Sequence, residues 1–481
     1  MNILYSKRLW RTVLIFSFII FASASYAQTT SDALRLAVPG LGSNARALGM
    51  GNSYISLSDD ASAAYFNPAG FGLLKRLELS GGLSYTNYGN NTTFFGESTD
   101  YSNSQTRLDR ISFAFPFPTF RGSLVFGLSY HNTKDLTGAL KFNGFNSGNN
   151  SLIQDFNEFS NIPYDLYLTD DDFNTIINGN LQQSGSILSS GGINNWTFSG
   201  AVEVYRNVFV GANVNIISGS FESNNDFYED DVANRYQGET APGEPQTIDF
   251  RTFYLNRVLD WDISGWDAKL GFLYQLFNNA RFGLTIQFPK SYSINETFTV
   301  NGSSEFGTGR IFPLEPADYS DEVEYDIITP FELGAGFSIN LKGLILSAEG
   351  TLIDYSQTEF DGAGSGLDAA FIAERNKEIK DNLTAVFNYN IGLEYTLPNI
   401  GLRVRGGFFV QPSPYKNDPS EFDRKFFTAG IGFLTEETIG FDLGYAHGWW
   451  EDLGDNYGSN ISRTFQDITL DKIILTATYR F

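Results

Sequence analysis

The C-terminal segment of the chain alternates with a period of two. Ile473, Leu475, Ala477, Tyr479 and Phe481 fall on one side, and Lys472, Thr476, Thr478 and Arg480 on the other; Ile474 is the one apolar residue on the polar side. Successive side chains of a strand point to opposite faces, so this pattern makes a two-faced strand, not a helix. It recurs along the chain. Leu124, Phe126, Leu128 and Tyr130 alternate with Ser123, Val125, Gly127 and Ser129. Phe282, Leu284, Ile286 and Phe288 do so later, and then Phe387, Tyr389, Ile391, Leu393 and Tyr395.

Read this way, the sequence predicts fourteen strands, at 77–88, 109–117, 121–133, 194–205, 207–221, 261–276, 279–290, 324–340, 343–359, 384–397, 401–412, 424–435, 438–449 and 469–481. After every even strand the linker is very short, as at Arg206, Leu341-Lys342 or Glu436-Glu437. After the odd strands it is longer, the longest covering 134–193. Tight turns at one end and long loops at the other are the signature of an outer-membrane barrel, and a soluble sandwich has no reason for the asymmetry. No stretch beyond the N-terminus has the run of apolar residues a spanning helix needs. Aromatics at 16%, 48 glycines and only 18% charged residues suit an all-β transmembrane barrel. Helical spacing is expected in two loops, Leu367–Leu383 and, more weakly, Leu152–Ile177.

Residues 1–27 read as a secretory signal peptide. Lys7, Arg8 and Arg11 precede a short apolar run from Val13 to Ala22, and Ser25-Tyr26-Ala27 offers a cleavage site before Gln28. The expected organisation is signal peptide 1–27, an N-terminal segment 28–76, and a barrel over 77–481, located in the outer membrane of a Gram-negative bacterium. An even strand count predicts both mature ends on the periplasmic side.

The formal net charge of −23 argues against nucleic acid as a partner. The acids gather in loops, at Asp170-Asp171-Asp172, Glu229-Asp230-Asp231 and Asp321-Glu322. They read as solubilised loop tips; loops meeting divalent cations on lipopolysaccharide are the sharper alternative. There are no cysteines, so disulfides, thiolate metal sites and Cys nucleophiles are excluded. His131 and His447, the only histidines, sit near strand ends outside any metal spacing and read as girdle residues. No nucleophile elbow or calcium loop occurs, and Gly40–Ala45 fits a dinucleotide string without the strand and helix that string needs. Neither an enzyme nor a cofactor is expected.

Residues 28–76 lack strand alternation. They carry Ala45-Arg46-Ala47-Leu48-Gly49-Met50-Gly51, Asp59-Asp60-Ala61-Ser62-Ala63 and Asn67-Pro68-Ala69. In these motifs the chain resembles the FadL/TodX-type outer-membrane transport family, whose members share such an A-R-A-x-G-M-G entry, a D-D-A-S-A stretch and an N-P-A motif ahead of the first strand. The local resemblance covers about fifty residues; over the rest of the chain it is architectural only, in fourteen strands and a terminal aromatic. It implies a fourteen-stranded barrel with the N-terminal segment as a hatch in the lumen, and passage of long-chain fatty acids or aromatic hydrocarbons. On that footing Leu41, Leu48, Met50 and Phe66 are the candidate substrate contacts. Arg46, Asn67, Pro68 and Ala69 are candidate hatch or gating residues, although Asn67-Pro68 also reads as a plain turn.

Parity turns Glu78, Glu203, Asp267, Lys269, Glu332, Glu349, Glu394, Arg403, Arg405, Asp442 and Arg480 inward, away from lipid. Arg46 then has wall acids to meet. Tyr479 and Phe481 read as girdle aromatics, and a final aromatic also resembles the signal read by the bacterial barrel-assembly machinery. Related barrels with a similar N-terminal region serve as scaffold or shuttle components in protein secretion, so two functions stay open: a channel for hydrophobic small molecules, and a secretion partner.

Overall fold

The protein is described here from a computed structural model, over residues 29–156, 160–277, 279–362, 367–398, 400–435, 438–455 and 462–481. The expected signal peptide lies outside the described residues, as do Asn278, Asn399, Glu436 and Glu437 of the expected short turns.

Fourteen antiparallel strands close into a barrel. They are β1 (Glu78–Phe94), β2 (Glu97–Phe117), β3 (Leu124–Asp135), β4 (Leu181–Tyr205), β5 (Val208–Asp230), β6 (Phe250–Leu276) and β7 (Ala280–Gln287). The circle continues with β8 (Glu332–Leu341), β9 (Leu344–Asp354), β10 (Ala385–Thr396), β11 (Leu402–Gln411), β12 (Arg424–Thr435), β13 (Ile439–Asp455) and β14 (Arg463–Arg480). β14 pairs β1 from Glu78↔Arg480 to Thr93↔Phe465, which closes the ring.

The surface is inside out for a soluble protein. Along β10 exposed Phe387, Tyr389, Ile391, Leu393 and Tyr395 alternate with buried or half-buried Val386, Asn388, Asn390 and Glu394. β14 repeats this with Ile473, Leu475, Tyr479 and Phe481 outward. An apolar belt of this extent around a closed ladder is stable only against hydrocarbon. The chain is therefore a membrane-spanning barrel of the outer-membrane type. Among the described residues no helix is long and apolar enough to cross a membrane.

Several strands differ from the expected boundaries. β4 begins at Leu181 rather than 194, β5 runs on to Asp230 and β6 starts at Phe250. Both faces of these outer extensions leave the lipid, so the alternation fades while the ladder continues. The expected strand 324–340 is divided, with Asp321–Ile328 and β8 flanking Thr329-Pro330-Phe331. The expected strand 279–290 likewise stops at Gln287, before Phe288-Pro289-Lys290, and the chain resumes pairing over Ser291–Phe306. Proline cannot donate to a ladder, and the two breaks lie side by side. The expected strand 343–359 ends at Asp354 in a 3₁₀ turn. A helix occupies Ala369–Asn382, whereas the Leu152–Ile177 stretch holds only two short helices, Leu152–Phe156 and Ile162–Asp165.

The segment ahead of β1 is built from four short helices, each opened by a polar side chain. Thr29 and Asp32 form a capping box on α1 (Thr30–Ala37), and Asn44 caps α2 (Ala45–Gly49). Asp60 accepts from Ser62 N (2.8 Å) and Asn67 from Ala69 N (3.1 Å), starting the two 3₁₀ helices Ala61–Ala64 and Pro68–Leu73. The Asp-Asp-Ala-Ser-Ala and Asn-Pro-Ala motifs are thus helix starts. α1 packs with Ile217 and Phe221 of β5, Trp261 and Ile263 of β6, and Ile379 and Leu383 of the outer-loop helix. It sits at the long-loop mouth, where Ser31 Oγ approaches Tyr415 OH at 3.4 Å. Thr29, the first described residue, is thus at the long-loop end and not at the periplasmic end where the sequence led the segment to start. The described chain starts at the outer mouth and descends through the lumen before β1 begins at the opposite end.

Candidate functional site

Wall side chains serve the backbone of this inner segment. Glu349 accepts from Tyr54 N (2.7 Å) and Ile55 N (2.8 Å). Asn390 donates to Gly51 O (2.9 Å), Asn213 to Ala64 O (2.6 Å) and Lys269 to Tyr65 O (2.6 Å), while Lys134 bonds Val38 O. An irregular chain at membrane depth needs such partners.

Arg46 is the main ionic tie. Its guanidinium is bidentate on Glu394 of β10 (2.9 and 3.0 Å) and also reaches Asp59 (2.7 Å) and Tyr54 OH (3.0 Å). Glu394 is shared with Arg405 (2.6 Å), which meets Asp442 (2.7 Å), and Asp59 is shared with Arg281 (2.9 Å). Burial alone would raise the Asp59 carboxyl, but Arg46 and Arg281 hold it well below the usual carboxylate range. The other inward residues expected by parity are all buried or half-buried, Glu78 pairing Arg480 and Glu332 pairing Lys290.

The candidate substrate contacts are dispersed. Leu48 packs on Ala446 and Ile474 of the wall, and Met50 lies with Tyr54, Leu57 and Phe66; neither Leu48 nor Met50 has accessible surface. Leu41 is half-buried against the wall, and only Phe66 of the four lines a cavity. Asn67 spans plug and wall, with Nδ2 donating to Ile55 O (2.9 Å) and to Phe272 O of β6 (3.1 Å). Pro68 and Ala69 press on Gly211 and Gly271, where a Cβ would overlap them.

Above the plug, on the outer side, two small cavities of about 100 and 60 Å³ flank Pro39-Gly40. Their lining is mixed: Lys269, Gln287 and Glu332 are common to both, beside apolar Ile55, Phe66 and Phe409 in one and Leu36 and Val38 in the other. The apolar side chains of the outer loops are spent on a core of their own, including Phe94, Phe142, Phe156, Phe250 and Phe306. His131 is corrected too: it is a buried lumen residue, edge-on to Tyr65 at 5.7 Å, and not part of a girdle.

A seam runs beside this chamber. β2 pairs β3 only from Arg110↔His131 to Phe117↔Leu124, so from Glu97 to Asp109 its ladder is confined to the β1 edge. The strand Gly138–Asn146 that continues β3 pairs β4 and leans inward, accepting from the lumen-facing Asn90 at Ala139 O (2.9 Å). Only side chains cross the seam at this level, with Asn103 reaching Ser189 O (3.0 Å) and Arg107 reaching Gly191 O (2.6 Å).

Parity missed several lumen groups. Asp109 and Arg110 are both buried although adjacent, because the register shifts between Gly82 and Leu83 opposite them. Lys134 and Lys290 lie at strand breaks, where alternation gives no direction. Pro289 marks the break at Lys290, whereas no sequence signal marks the shifts at Asp109 and Lys134.

No family model matches the chain, and no curated protein matches it. Solved structures share its fold. The toluene transporter TodX of Pseudomonas putida matches at 14% identity and TM-score 0.56, over 92% of this chain and 99% of TodX. A Pseudomonas aeruginosa FadL homologue matches at 13% identity and TM-score 0.55, over 92% and 99%. The monoaromatic hydrocarbon channel CymD matches at 14% identity and TM-score 0.51, over 92% and 98%.

Proposed function

We propose that the barrel is a passive outer-membrane channel for hydrophobic compounds such as long-chain fatty acids or aromatic hydrocarbons, with residues 28–76 as its hatch. The observation that carries this reading is the seam between β2 and β3. It is a stretch of wall, Glu97 to Asp109, held to its neighbour by side chains instead of a ladder. A wall parted there would give cargo a sideways way out of the barrel. Likeness to barrels whose names record toluene and monoaromatic hydrocarbons supports the same class of cargo. Arg46, Asn67, Pro68 and Ala69 hold the hatch closed in this scheme, and Phe66, with Ile55 and Phe409, gives the chamber apolar surface. Transport needs no bond to be made or broken, so no catalytic group is assigned.

The test is uptake of radiolabelled toluene and oleate by cells that depend on this barrel. Uptake of either above the level of cells without it is expected. Correct insertion with no gain for either compound overturns the proposal. The small chamber and the self-packed outer loops favour a second reading, a closed scaffold in protein secretion. In that case uptake is absent and a secreted protein co-purifies through the outer loops.

A further inference from the structure

The periplasmic end of the lumen differs in charge from the rest of the molecule. Beneath the plug lies a vestibule of about 670 Å³, and six cationic side chains line it: Arg46, Lys75, Arg76, Arg281, Arg403 and Arg480. Only two acids do so, Asp59 and Glu394. This concentration stands out in a chain of net charge −23.

The two acids are already committed. Asp59 is shared by Arg46 and Arg281, and Glu394 by Arg46 and Arg405. Arg480 has its own partner in Glu78 (2.8 Å). Arg403 is different. It sits on β11 opposite Thr396 and Gly432, half-buried, with no carboxylate at salt-bridge distance among the described residues. Lys75, exposed at the rim, has no acidic partner among them either. A guanidinium offers planar paired donors that match a carboxylate or a phosphate, and a concave wall of one sign concentrates such anions from solution. Gln275, Asn279 and Asn340 add neutral polar groups around the same space.

We propose that this vestibule is an anion-binding site, anchored by Arg403 with Lys75 at its rim, for a small molecule bearing a carboxylate or a phosphate. Such an anion has two sources: acidic cargo leaving the barrel, or a free anion of the periplasm. The site does not depend on the transport reading.

The test is isothermal titration of the purified full-length barrel with benzoate, inorganic phosphate and the neutral analogue benzyl alcohol. Saturable, salt-sensitive binding of an anion is expected, with none for benzyl alcohol. Binding of benzoate without phosphate identifies acidic cargo, and binding of phosphate identifies a free periplasmic anion. Arg403→Gln should weaken binding about tenfold, the scale of a charge-assisted pair. Lys75→Gln, on an exposed side chain, should weaken it less while leaving the fold untouched. No saturable binding of either anion overturns the proposal, and so does equal affinity in wild type and both variants. Uptake of a neutral hydrocarbon reports on transport alone, so either idea can fail without the other.

Discussion

Glu394 carries two guanidiniums, Arg46 from the plug and Arg405 from the neighbouring strand, with almost no solvent to share the charge. Replacing one member of such a cluster leaves its partners charged and buried. Glu394→Gln should therefore cost about 3–5 kcal/mol, seen as a lower temperature for the heat-modifiable gel shift and faster proteolysis of the hatch. Asp59 sets the acid limit of the same tie. Its folded carboxyl is depressed, so its contribution is present above the unfolded value and is lost only as pH falls through the lower folded one. Hatch protection from protease should be the same at pH 5 as at pH 7; loss at pH 5 would show that this ion pair does not hold the plug. At the other end of the chain, Phe481 is exposed, stacks edge-on to Tyr479 at 4.5 Å and donates its N–H to Leu77 O (2.9 Å). If it is an assembly signal, deletion abolishes insertion while Phe481→Tyr preserves it. Insertion of the deletion variant at wild-type levels leaves it an ordinary girdle residue.

The contact between plug and wall is made through missing side chains as much as through ion pairs. Gly392 of β10 and Gly407 of β11 face Met50 and Gly51, and a Cβ at Gly392 would overlap the Met50 carbonyl. Gly406, one residue along, has room for a Cβ, which would meet Thr428 O at 3.9 Å and Leu393 at 4.0 Å. Gly392→Ala should thus lift the hatch by overpacking, at roughly 1–3 kcal/mol, and give transient openings in planar bilayers while the barrel still folds. Gly406→Ala should stay closed. The sequence made the strands facing lipid legible because one face of each had to be apolar. It was silent where neither face meets lipid, as in Gly138–Asn146 and the outer half of β4. It placed Glu394 and Arg405 inward by parity, but Asp109 and Arg110 escaped because a bulge resets parity without changing composition. That the N-terminal segment is not strand was recognisable by its lack of alternation, whereas its course, beginning at the outer mouth, depends on α1 finding Phe221 and Trp261, which no local pattern encodes.

For the molecule as a whole, the lumen is occupied along its height by its own N-terminal segment. Deleting residues 28–70 should leave an insertable barrel with steady conductance; a silent deletion variant would mean that the lumen is closed by something else. The path of the segment can be read in intact cells, because the chain has no cysteine. Ser31→Cys should react with a membrane-impermeant maleimide added outside, and protection there would place α1 on the periplasmic side. The weld between β1 and β14 carries a further consequence. Glu78 meets Arg480 only when the ring closes, and closure joins the first strand to the last, the most distant strand pairing in the chain. Such pairings are slow to form because their ends must find each other before any contact rewards the search. The inner segment touches β14 and also β1, so it lies against both of the edges that closure must bring together.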